Sequence, residues 1–126
     1  MNRQDAIGIG LSGLCLVHCL ALPVLVSLGP ALVWMENGWV HLALAGLALV
    51  VSLNAMRDWP PGNKGLALKT LAATGLGLLL LGALAGIPEL AERAITVAGA
   101  SLLALSHGAA WFTSTRNCSH DHAPRR

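Results

Sequence analysis

Cys15-Leu16-Val17-His18-Cys19 places two thiols and an imidazole inside a stretch that carries no Asp, Glu, Lys or Arg from Ala6 to Leu28. Thiolate plus imidazole is a soft-to-borderline donor set, suited to ions such as zinc and copper rather than magnesium or calcium. Helical positions three and four apart share a face, so Cys15, His18 and Cys19 make one stripe. Extending it backward by three, four and three residues adds Ser12, Gly8 and Asp5. Cys15 lies roughly 14 Å along a helix axis from Ala6, which is mid-depth in a bilayer. Polar groups at that depth are costly and face a bundle interior or a pathway. Pro23 has no N–H, so the Cys19 carbonyl loses its helical partner. A kink and a spare oxygen acceptor beside the thiols are expected there, as in the interrupted helices that build ligand sites in transporters.

Charge arithmetic supports metal chemistry at this stripe. Two bare thiolates in hydrocarbon would be prohibitive, whereas two thiolates around a divalent cation sum to zero, with their protons released on binding. A disulfide between Cys15 and Cys19 is less suited to a regular helix, because their Cβ vectors run nearly parallel and their separation is long for that bond. Relaxation at Pro23 leaves redox chemistry open. Further donors extend along the chain: His41 near the start of a second apolar run, His107 late in a fourth, then Cys118, His120 and His122 in the terminal segment. Ordered by depth, they form a ladder of sulfur and nitrogen ligands. Each also has a plainer use, with His41 marking an interface and His107 hydrogen-bonding a neighbouring helix.

The elements that must position these donors are transmembrane helices. The chain has 126 residues, 55% hydrophobic and 11% charged, where a soluble domain carries about 25% charged. A net charge of +2 is too small for a nucleic-acid surface. Apolar runs at 6–28, 39–56, 68–87 (Lys69 snorkelling at its edge) and 94–112 each approach the about 20 residues that cross hydrocarbon. Without water, backbone groups force helices or closed barrels, and unbroken runs without alternation decide for helices. The first run is too long for a signal-peptide core, so it is expected to stay as a span.

The fold expected is an all-α integral-membrane four-helix bundle over residues 1–113, followed by a Cys/His-bearing tail at 114–126. Trp34, Trp39, Trp59 and Trp111 fall at span ends, where an aromatic belt would put them. Helix contacts are expected at Gly82 with Gly86, and at Ala100, Ala104 and Gly108. Arg3, Arg57, Lys64, Lys69, Arg116, Arg125 and Arg126 lie on one side, against Arg93 on the other. The positive-inside rule therefore puts both termini in the cytoplasm.

An Asp, a Gly- and Ser-bearing apolar span, Cys-x-x-His-Cys and a Pro four residues on resemble the MerC-domain family of four-span membrane proteins. The resemblance runs through Asp5, Ser12, Cys15, His18, Cys19 and Pro23, then His41, then Gly99, Ser101, Leu102, Leu103 and His107, and ends in the Cys/His tail. It implies uptake of mercuric ion across the bacterial inner membrane. Here the first-span thiols stand four apart with His18 between them, and the tail offers one Cys with two His. Mercury favours two thiolates, while imidazole broadens the set toward zinc, copper or nickel.

The expectation is a carrier for a soft or borderline divalent cation (mercury, zinc or copper class), not an enzyme. Cys15, Cys19 and His18 would be central ligands, His107 or His41 would complete the shell, and Cys118, His120 and His122 would receive the ion. No tightly bound cofactor and no Gly-x-x-x-x-Gly-Lys-Ser/Thr nucleotide loop is expected. The partners are the lipid bilayer, the metal and a cytoplasmic metal acceptor, and four short helices leave room for a homodimer. Two rivals remain open at this point. One is a non-transporting sensor or chaperone that binds through its tail, and the other an electron-transfer bundle with haem held by His18 and His107.

Overall fold

The computed structural model describes residues 3–29 and 38–120. They form four helices: α1 Arg3–Leu28, α2 Gly38–Asp58, α3 Asn63–Leu84 and α4 Glu89–His120. Each is long and apolar enough to cross a membrane, and no strand occurs among the described residues. Only 22–33% of each span's most apolar window is buried inside the bundle. The remainder presents side chains such as Leu14, Val17, Leu20, Val50, Leu81 and Leu105 outward. Helices apolar on every side belong in lipid.

The helices run three to eight residues beyond several of the apolar runs. Counting apolar residues stops at the first charge, whereas a helix continues through charged residues at the interface, as α4 does through Glu89, Glu92 and Arg93. At its far end α4 continues to His120, so the segment expected as a tail begins as helix. The end of α3 is the exception, closing at Leu84 rather than 87. Gly86 adopts a left-handed φ of 56° and Pro88 follows, which turns the chain into α4. The Pro88 carbonyl then accepts from the Glu92 N–H at 3.0 Å, opening the helix.

The four helices close into a ring in which each touches its two neighbours, with α3 against α4 the most extensive contact and α1 against α4 next. Lipid supplies no hydrophobic drive between helices, so small residues that allow backbones close approach carry the packing. Gly75 and Gly99 do this for α3 and α4. A Cβ on Gly75 would lie 2.8 Å from the Gly99 carbonyl oxygen, and one on Gly99 would lie 2.7 Å from that of Gly75. Gly82 faces Thr96 and Ala100 is buried, as expected. Gly86 instead lies exposed in the connection, and nothing approaches Gly108. On α2 the buried stripe is Ala45, Ala48, Ser52 and Ala55.

Candidate metal centre

The stripe on α1 faces the bundle interior. Asp5, Gly8, Ser12, Cys15 and Cys19 are all buried, at the helical spacing that puts them on one face. Two polar clusters grow from it, one at each end.

At the end where α1 begins, Asp5 occupies the first helical turn, where the macrodipole favours an acid. Trp59, just past α2, donates its Nε1–H to Asp5 Oδ1 at 3.0 Å. His107 Nδ1 lies 3.0 Å from the same oxygen, and its Nε2 lies 3.2 Å from Ser52 Oγ. With Asp5 as acceptor, Nδ1 carries the proton, and in the neutral ring Nε2 accepts from the Ser52 hydroxyl. Asp5 and His107 are each 1% exposed. The Trp59 and His107 rings meet edge-to-face with centroids 5.5 Å apart, and the His107 ring packs on Gly8, where a Cβ would come within 2.7 Å. Ser–His–Asp connectivity is familiar from hydrolases, but Ser52 is 2% exposed and offers no approach to a substrate. The cluster binds three helices together.

Some ten helical residues separate Gly8 from His18, roughly 15 Å. Here Cys15 and Cys19, both free thiols, line a cavity of about 10 Å³ with His41, Leu44, Ala45, Leu79, Ala83 and Thr96. Such a volume holds about one water-sized body. His18 sits at the edge of the buried stripe, turned toward α2, and meets His41 edge-to-face with centroids 5.2 Å apart. His18 Nε2 and His41 Nδ1 are buried with no hydrogen-bond partner among the described residues. His41 Nδ1 stands 3.9 Å from Glu92 Oε1 on α4, beyond hydrogen-bond reach. A buried polar atom left unpaired costs on the order of 1–3 kcal/mol, and each one calls for a physical reason.

The structure thus brings Cys15, Cys19, His18 and His41 into one region. Among the described residues, no group of three or more His, Cys, Asp or Glu side chains is placed to hold a metal ion, so any such site forms only when side chains move. His107 stands apart from that region with both ring nitrogens engaged. It shares no depth with His18, as a haem axial pair would require. The side chains of Cys118 and His120, that of Pro23, and all of His122 and Trp34 lie outside the described residues. Trp39 is exposed, as a belt residue would be, whereas Trp59 is only 5% exposed, because its N–H is committed to Asp5. Two participants were missed from sequence: Ser52, an ordinary small residue in an apolar run, and Glu92, which resembles any acid placed in a first helical turn.

A four-span bundle with buried sulfur and nitrogen donors on its first helix defines the class of membrane protein. Residues 5–112 match the family model described as MerC mercury resistance protein, and the chain belongs to the MerC family. No curated protein and no solved structure matches the chain. Membership carries a mercury-resistance, transporter-like role in a lipid bilayer.

Proposed function

We propose that the protein carries a soft or borderline divalent cation, mercuric ion foremost, inward across the bacterial inner membrane. The observation that carries this reading is the coincidence of two free buried thiols with two orphaned imidazole nitrogens in one small interior region. Cys15 and Cys19 act as thiolate ligands and His18 as the third donor, with His41 on the outer side. Two thiolates cancel the ion's charge, which removes most of the electrostatic cost of holding it in hydrocarbon. The Asp5–His107–Trp59 cluster closes the inner end, and an ion moving inward passes once α1 and α4 part there. Cys118, His120 and His122 then take the ion at the cytoplasmic face, where the Lys/Arg bias puts both termini. Flux is downhill, ion-coupled or drawn by a cytoplasmic thiol sink.

Uptake of radiolabelled mercuric ion by cells or vesicles holding the full chain tests this reading. A Cys15→Ser/Cys19→Ser double variant, matched for membrane abundance, should fall to the level of cells without the protein. Undiminished uptake by that variant overturns the proposal. Removal of residues 114–126 distinguishes the sensor reading: a carrier keeps metal binding at the first span, whereas a tail-only binder loses it.

A further inference from the structure

Among the described residues, Glu92 is the carboxylate that turns toward the thiol region. Glu89 and Glu92 both sit in the first turn of α4, where any acid complements the helix dipole. Glu89 points outward, its side chain 71% exposed and paired with Arg93. Glu92 is 29% exposed and directs Oε1 at His41 Nδ1, 3.9 Å away. That gap is too long for a hydrogen bond. A tetrahedral zinc ion bound by both atoms would hold them about 3.3–3.5 Å apart, so a small side-chain rotation brings the pair to the spacing of one shared ion. His41 Nδ1 has no hydrogen-bond partner among the described residues, and the neighbouring ring, His18, carries the second such nitrogen.

We propose that His18, His41 and Glu92 form a nitrogen- and oxygen-donor site for a borderline divalent cation, of the Zn²⁺ or Co²⁺ class, distinct from the thiol pair. Three protein ligands with an open position are a familiar zinc arrangement, two imidazoles and a glutamate among them. The three donors come from α1, α2 and α4 and close by side-chain rotation toward His41. This site deepens the carrier reading and rests on it only for the sense of passage. The ion is captured first at the imidazole–carboxylate site, which needs no thiol deprotonation, and is then handed to Cys15 and Cys19. His18, one residue before Cys19, belongs to both shells, so the transfer is a ligand exchange around one imidazole. The donor mix also predicts that zinc-class ions compete with mercury at capture and lose to it at the thiols.

Cobalt titration of the full chain in detergent reads the two sites separately, because thiolate ligation adds a sulfur-to-cobalt charge-transfer band that nitrogen and oxygen donors lack. A Cys15→Ser/Cys19→Ser/Cys118→Ser variant should keep the visible d–d absorption of bound Co²⁺ and lose the sulfur band. Glu92→Gln in that background should weaken Co²⁺ binding at least about tenfold, the low end of what even outer-shell partners cost. His41→Gln should do the same, and Glu89→Gln should leave affinity unchanged. Absence of d–d absorption in the thiol-free protein overturns the proposal, as does equal affinity in the Glu92→Gln and Glu89→Gln proteins. Failure of the carrier reading looks different, with cobalt held by Glu92 while the Cys15→Ser/Cys19→Ser variant still takes up mercury.

Discussion

Where α1 begins, both ring nitrogens of His107 and the Trp59 N–H are partnered around Asp5 and Ser52. About four turns further along, His18 Nε2 and His41 Nδ1 have no hydrogen-bond partner among the described residues, and two free thiols lie beside them. Similar residue types, buried in one bundle, therefore meet opposite fates. A satisfied polar cluster in a low-dielectric interior fixes which helices meet and in what register. An unsatisfied one carries a cost that a bound water or a ligand offsets. The difference teaches that burial of a histidine says little about its role until the partners of both nitrogens are counted.

Three substitutions separate the two regions, and the largest effect belongs to the satisfied one. Asp5→Ala strands the His107 Nδ1–H and the Trp59 Nε1–H together, and should destabilise the bundle by about 2–6 kcal/mol, from about 1–3 for each buried donor left unpaired. Unfolding in mixed micelles measures it. Gly8→Ala comes next, because its methyl meets the His107 ring at 2.7 Å and overpacking costs about 1–3 kcal/mol. Gly10→Ala, with nothing within 4 Å, is its control and should be neutral. Smallest, and opposite in direction, is His41→Leu. It removes an orphaned nitrogen, so stability should hold or rise by up to about 1 kcal/mol while zinc-class affinity falls. A loss of several kcal/mol at His41 would erase the distinction between the regions.

Much of this arrangement is legible in the sequence. The four apolar runs locate four helices, and steps of three and four from Asp5 to Cys19 place the stripe correctly, because both follow from periodicity within one segment. Interhelical partners obey no such rule. Nothing in a run of apolar residues says that Trp59 reaches Asp5 rather than lipid headgroups, or that Gly75 and Gly99 make the close approach while Gly86 takes no part in it. His107 reads as a ladder rung by depth alone, and only its contacts reveal that both nitrogens are committed. Glu92 hides behind its electrostatic suitability for a first helical turn, a role Glu89 shares without facing inward. The Pro88 and Gly86 punctuation marks the end of α3 more sharply than its apolar content does.

The proposed carrier holds its metal at the thiols of α1 and not at the cluster around His107. X-ray absorption at the mercury edge, on the full chain loaded with one equivalent of Hg²⁺, tests it most directly. Two sulfur neighbours are expected, preserved in Cys118→Ser and in His107→Gln and lost in Cys15→Ser/Cys19→Ser. A spectrum unchanged by the double substitution, or one that changes with His107→Gln alone, contradicts the account.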